Sequence, residues 1–238
     1  MGSSLYRRVV LKVSGEWLAG KKMNFIDPQA LTIISNEIIS AKNLGVELAV
    51  VVGGGNIIRG QFASTGVIDR VSADQMGMLA TVINSLALRD NLESRGIPTQ
   101  VLSAVHINAL TQPYTKREAV RHLQNGRVII LAGGTGNAYF TTDTTAALRA
   151  AEIEAEVVLK GTKVDGVFDD DPVKNPAATM FQALSYSEVL KRRLKVMDLT
   201  AVSLCMENGL PIIVFNLEKQ GNLKRVLSGE KIGSRVGG

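Results

Sequence analysis

Three segments of this 238-residue chain set glycines and small polar residues directly after short apolar runs. They read Lys12-Val13-Ser14-Gly15, Gly53-Gly54-Gly55-Asn56 and Gly133-Gly134-Thr135-Gly136-Asn137. Glycine lets a backbone approach a phosphate closely and turn its N–H groups toward the oxygens. Lys12 places a positive charge at the first turn, and Arg59 follows the second. Backbone amides and fixed cations gathered around phosphate oxygens suit phosphoryl transfer, whose catalysis is mostly positioning and charge neutralisation. A single turn of this kind is weak support, since many are tight strand-to-helix connections; three at one edge of a sheet form a phosphate site.

The elements that would position these turns alternate along the chain. Residues 9–13, 48–52, 128–131, 157–159 and 212–215 are short apolar, β-branched runs, and a further strand starts after Pro98. Between them lie helical patterns. Asp27-Pro28 supplies an N-cap and a proline at the first helical position, followed by Leu31, Ile34, Ile38 and Ala41 at helical spacing. Further helices are expected from about Ser72 to Ser94, Lys116 to Gln124 and Thr144 to Ile153, with two more beyond Pro176. Apolar strands alternating with amphipathic helices indicate an α/β fold with a mostly parallel sheet covered on both faces. No Pro/Ser-rich linker divides the chain, so one domain of two lobes is expected, with the aspartate-rich stretch Asp165 to Asp171 as the lobe junction.

Two familiar phosphate motifs fail on one defining residue each. Gly15 to Lys21 imitates a Walker A loop, but Lys22 stands where Ser or Thr should hold magnesium. After Gly53 and Gly55, the third glycine of a dinucleotide fingerprint would fall on Ile58. Composition excludes other classes. A lone Cys205, with His106 and His122 apart, offers neither a disulfide nor a zinc site. The net charge of +5 is scattered over short runs, and four Tyr, six Phe and one Trp give little for base stacking, so nucleic acid is not expected as the primary partner. No apolar stretch reaches the roughly 20 residues of a membrane span, and Met1 to Arg8 has no signal-peptide core. A cytoplasmic enzyme is expected.

The residues carry a resemblance. Lys12-Val13-Ser14-Gly15-Glu16 and Gly53-Gly54-Gly55-Asn56 with Arg59-Gly60 are similar to the amino acid kinase family. Asp74-Gln75-Met76-Gly77-Met78-Leu79-Ala80-Thr81, Thr135-Gly136-Asn137, Thr141-Thr142-Asp143, Lys163 to Phe168 and Val196 to Ala201 narrow it to the bacterial-type UMP kinases. The likeness covers almost the whole chain.

The resemblance implies a three-layer α/β/α sandwich, with an acceptor lobe over about residues 1–150 and an ATP lobe over about 151–238. It implies transfer of the ATP γ-phosphoryl to UMP, with Mg2+ bound alongside ATP and no metal held by the protein alone, in a homohexamer. By matched position, Lys12, Val13, Ser14, Gly15, Gly55, Arg59, Thr162, Phe168 and Asp171 would contact ATP. Gly54, Asp74, Thr135, Gly136, Asn137, Ala138, Tyr139, Phe140, Thr141 and Thr142 would contact UMP.

Lys12 and Arg59 are the expected catalytic cations, and Asp74 suits a ribose hydroxyl. Thr141 and Thr142 suit the uracil edge. Asp143 and Asp198 admit two readings: orienting magnesium or a lysine, or capping a helix. Lys160 is either an added positive charge or a surface strand end, and Phe168 either a wall for adenine or core. The chain departs from the family pattern at Met23-Asn24-Phe25-Ile26-Asp27 and at Ala138-Tyr139. Glu93, Gln100 and Lys116 stand where histidine, arginine and tryptophan would serve a GTP activator, which argues against that effector; feedback inhibition by UTP stays open. Two alternatives stand beside this reading: a kinase of another small phosphate or carboxylate acceptor, and a non-catalytic nucleotide-binding or storage protein.

Overall fold

The computed structural model describes residues 4–20, 25–58 and 67–238. Strand β1 (Arg8–Val13) is buried along its whole length and stands inside a nine-stranded sheet. On one side of it lie β2 (Glu47–Val52), β5 (Val128–Ala132), β3 (Thr99–Ser103) and the short β4 (Gln112–Pro113), in that order. On the other lie β6 (Val157–Thr162), β10 (Ile212–Asn216), β11 (Ser234–Val236) and β9 (Ala183–Leu184). Every neighbouring pair is parallel except β10 with β11. A separate antiparallel ribbon pairs β7 (Val167–Phe168) with β8 (Met180–Phe181).

Successive strand residues point to opposite faces, and two cores follow that period. Val9, Leu11 and Val13 join Leu48, Val50 and Val52 on one face. There α2 (Pro28–Lys42), α3 (Arg70–Glu93) and α8 (Asn222–Leu227) contribute Ile34, Ile38, Leu88, Leu92 and Leu223. Val10, Ala49, Val51 and Val158 face the other way. They meet α4 (Lys116–Gln124), α5 (Thr142–Glu152), α6 (Tyr186–Arg192) and α7 (Leu199–Glu207) through residues such as Leu123, Ala147, Val189 and Val202. The result is the expected α/β sandwich, with helices on both faces of a mostly parallel sheet.

Helix starts differ from the sequence reading by two residues, and capping explains it. Asp69 accepts the N–H groups of Val71 and Ser72, so α3 begins at Arg70 rather than Ser72. Thr141 caps α5, which begins at Thr142 rather than Thr144. Asp27 accepts from Gln29 and Ala30 at 2.8 and 3.0 Å, with Pro28 opening α2 as expected.

Strand order decides where a ligand can sit. The chain leaves β1 through α2 to build the β2 side, then returns from β5 through α5 to place β6 against the opposite edge of β1. Connections from the two sides of β1 therefore diverge at the carboxyl ends of β1, β2 and β6, leaving a crevice there.

Candidate active site

Two of the glycine-rich turns meet in this crevice. Residue 15 begins the one-turn helix α1 (Gly15–Leu18), and a Cβ there would stand 2.5 Å from the carbonyl oxygen of Gly53 and 2.7 Å from the amide nitrogen of Gly55. A Cβ on Gly54 would stand 2.7 Å from the Gly77 carbonyl oxygen. Backbone presses on backbone at both positions, so no side chain fits without moving a strand end. The third turn lies beyond β5, the neighbour of β2.

Helix α3 supports the turns with Asn84, which the sequence did not single out, and with Thr81, which ends the 74–81 motif. Buried Asn84 donates to the Gly53 carbonyl at 2.8 Å and exchanges amide hydrogen bonds with Asn56. Thr81 accepts the Gly133 N–H at 2.8 Å. The signal for both was present, since a polar residue on the inward face of a long helix needs a partner.

The charged centre is built from three elements. Lys12 on β1 and Lys160 on β6 are paired positions of adjacent parallel strands, so their side chains leave the sheet together. Both point to the face covered by α5, whose first turn carries Asp143 between them. The Lys12 ammonium lies 2.6 Å from Oδ1 of Asp143, and the Lys160 ammonium 2.8 Å from Oδ2. Lys160 also donates to the Val196 carbonyl at 2.6 Å. All three side chains are largely withdrawn from solvent, at 9, 17 and 13% exposure.

Burial pushes the Asp143 carboxyl up, but the two ammonium groups more than offset this and hold it below the usual carboxylate value. Burial pulls the Lys160 ammonium below an ordinary lysine; Asp143 restores part of this, while the Lys12 charge pulls the same way as burial. Two ammonium groups against one carboxylate leave surplus positive charge where anionic oxygens would gather.

These contacts decide two of the open readings, Asp143 for orienting lysines and Lys160 for an added positive charge. Asp143 does not cap α5; that role belongs to Thr141, whose hydroxyl accepts the N–H groups of Asp143 and Thr144 at 3.0 and 3.3 Å. Lys160 is a buried partner of Asp143, not a surface strand end. Asp198 does cap a helix, accepting the Ala201 N–H at 2.7 Å in α7. It also accepts from the hydroxyls of Thr141 and Thr144, and so latches the starts of α5 and α7 together.

A groove of about 350 Å³ opens beside this centre. It gathers Gly54, Gly55, Asp74, Phe140, Thr141 and Thr142 from the expected contacts, Gly134 from the third glycine turn and Met78 and Thr81 from the 74–81 motif, together with Ile58 and Arg70, which were not foreseen. The Thr141 hydroxyl is committed to the cap and to Asp198, which leaves its backbone and methyl group for a ligand. Thr135 and Asn137 line an adjoining groove between α5 and α7, sharing Phe140 with the first. Phe168 and Asp171 line a third groove with Arg192, Arg193 and Lys195. Phe168 is half-buried, and the Thr162 hydroxyl donates to the carbonyls of Val164 and Phe215, so that side chain serves the fold. Val13 is core, and only its backbone reaches the crevice.

Arg59, Met23 and Asn24 lie outside the described residues. His122 is buried against Gln112, and burial pushes the Cys205 thiol up to about 12, which removes it as a nucleophile.

A magnesium ion typically takes one or two carboxylates plus substrate phosphates and water. Among the described residues no group of three or more His, Cys, Asp or Glu converges, and Asp143 is already held by two lysines. With Asp143 engaged by both lysines, the lining is compatible with a magnesium ion that arrives on substrate phosphates. No helix among the described residues is long and apolar enough to cross a membrane.

A crevice at the strand-order switch, glycine turns on two strand ends and a buried Lys–Asp–Lys centre define a phosphoryl-transfer fold. Residues 7–216 match the amino acid kinase family, and the chain belongs to it. Among curated relatives, the chloroplastic uridylate kinase PUMPKIN of Arabidopsis thaliana is 53% identical over 234 residues, covering 98% of this chain and 69% of its own. The crystal structure of UMP kinase from Bacillus anthracis superposes with a TM-score of 0.94 at 40% identity, covering 98% of this chain and 96% of that one. UMP kinase from Ureaplasma parvum follows at 0.91 and 37% identity, covering both chains fully.

Proposed function

We propose that this chain is a UMP kinase, transferring the γ-phosphoryl of ATP to UMP to give UDP and ADP. The observation that carries the reading is the Lys12–Asp143–Lys160 centre beside the groove that holds Asp74 and Thr142. The acceptor is a phosphate monoester, whose second pKa near 6 leaves it largely ionised at neutral pH. It needs no general base. The obstacle is repulsion between an anionic nucleophile and an anionic donor, and two fixed ammonium groups reduce it without moving during the reaction. Asp143 holds both of them in place.

The glycine amides at residues 15 and 55 cradle donor oxygens, Gly54 lies toward the acceptor, and Arg59 adds a further steering cation. The acceptor lies in the groove along α3, with Asp74 on its ribose and residues 135–142 over its base. ATP lies toward Thr162, Phe168 and Asp171. Magnesium, carried in with ATP, would supply charge neutralisation at the phosphate oxygens, while Lys12 and Lys160 supply the protein's own positive charge. The half built on β1 to β5 thus serves the acceptor and the half from β6 onward the donor. We further propose action in pyrimidine nucleotide synthesis in the cytoplasm, and assembly as a homohexamer.

The test is ADP formation from ATP and magnesium with UMP, CMP and small carboxylates offered side by side. UMP should dominate, and added GTP should not raise the rate, because Glu93, Gln100 and Lys116 replace the expected effector contacts. Turnover with a carboxylate in place of UMP would overturn the acceptor assignment, and tight nucleotide binding without turnover would overturn the enzyme itself.

A further inference from the structure

We propose that Arg70 is a positioning residue for the acceptor, acting through Asp74 and the Tyr139 strap; the inference rests on the reading of the groove as the UMP site. Arg70 is the first residue of α3, where a cation opposes the helix dipole and does nothing for the helix itself. Its pairing with Asp74, arginine first and carboxylate four residues on, is also the weaker orientation for helix stability. A role outside the helix accounts for both.

The geometry supplies one. Arg70 Nε donates to Asp74 Oδ2 at 2.9 Å, and its guanidinium carbon lies 5.3 Å from the centre of the Tyr139 ring. The Tyr139 N–H donates to the same Oδ2 at 2.8 Å. Tyr139 sits at φ 71°, a left-handed backbone that a bulky aromatic adopts only when its surroundings hold it there. Arg70 and Asp74 are those surroundings. Both donors fall on Oδ2, and among the described residues no donor is recorded on Oδ1. One carboxylate oxygen is thereby fixed by two protein donors, on a residue that lines the groove together with Arg70.

Arg70 therefore sets the angle of the carboxylate and holds the Tyr139 backbone that leads into Phe140 and Thr141 of the groove. Its loss should weaken acceptor binding without touching the chemistry at Lys12. Lysine at this position keeps the charge but not the planar fork that pairs and stacks at once.

The test is steady-state kinetics of the full chain with Arg70→Gln, Arg70→Lys, Asp74→Asn and the double variant Arg70→Gln/Asp74→Asn. Arg70→Gln should raise KM for UMP about tenfold while kcat and KM for ATP stay within about twofold, the pattern of lost ground-state binding. Arg70→Lys should recover part of the loss. In the Asp74→Asn background, Arg70→Gln should add clearly less than it costs alone, because only its contact with the Tyr139 ring remains.

Additive effects in the double variant, or an unchanged KM for UMP, would overturn the proposal. So would equal losses for ATP and UMP with a lowered thermal midpoint, which mark a merely structural role. Failure of the unaltered protein to phosphorylate UMP is a separate result; it removes the acceptor reading before any variant is compared.

Discussion

Lys12, Asp143 and Lys160 bring two positive charges and one negative charge into a site screened from water, and each depends on the others. Removing Asp143 leaves two ammonium groups facing each other, and breaking a buried ion pair from one side costs about 3 kcal/mol. We expect Asp143→Asn to lose about that much stability at pH 7, read from urea unfolding. The folded Asp143 carboxyl lies below its unfolded value of about 3.9. Its contribution is therefore complete above that value and fades as pH falls through the folded pKa. The stability gap between the two proteins should hold from pH 8 to pH 5 and narrow below about pH 4; a gap that stays constant would contradict the ion-pair account. On the proposed mechanism, Lys12→Ala acts on chemistry as well as on the ion pair. Losing one preorganised charge at the transferring phosphoryl should reduce kcat by about 10²–10³-fold, and unchanged turnover would remove Lys12 from the mechanism.

At the scale of elements, the site depends on how helix starts are held. Thr141 and Asp198 tie the starts of α5 and α7 together, which fixes the turn carrying Asp143. A similar device secures α8 at the far end of the chain. Gly221 caps that helix and has no side chain to do so, and buried Glu37 of α2 accepts the N–H groups of Gly221 and Leu223 at 2.6 and 3.1 Å. Glu37→Ala should strand both donors and cost about 1–3 kcal/mol, measured by denaturant unfolding, with KM values unchanged. A neutral result would mean that water replaces the carboxylate. Glutamate at position 37 reads from sequence as one more polar residue of an amphipathic helix; its partners lie 184 and 186 residues away.

For the whole molecule, α3 does two tasks. One face supports the glycine turns through Asn84 and Thr81, while Met76, Leu79 and Ile83 stand 39, 47 and 47% exposed at positions spaced by three and four. If the proposed homohexamer forms, such a stripe has the spacing of a helix-packing seam through which a second copy of α3 would pack. Leu79→Glu should reduce the particle mass seen by light scattering, and an unaltered mass would direct the interface elsewhere. Because the opposite face carries the site, the same variant should also show whether assembly is needed for turnover.

Much of this was legible in sequence because it is local. Strand alternation, the Asp27-Pro28 start of α2 and the glycine turns after β1, β2 and β5 all follow from side-chain period and backbone freedom within a few residues. The motif set also carried the family. Short elements such as β4, β7, β8, β9, β11 and α8 did not register, since two to six residues hold too little periodicity. Tertiary structure alone decided that residues 12, 143 and 160 meet, because strand order places β6 beside β1 and no local pattern encodes strand order. It likewise decided Asp143 for the lysine-orienting reading over the cap, and set Arg70, which no sequence signal marked, against Asp74. Glycines and caps act on their immediate neighbours, whereas a buried charge takes its role from whichever distant group the fold sets against it.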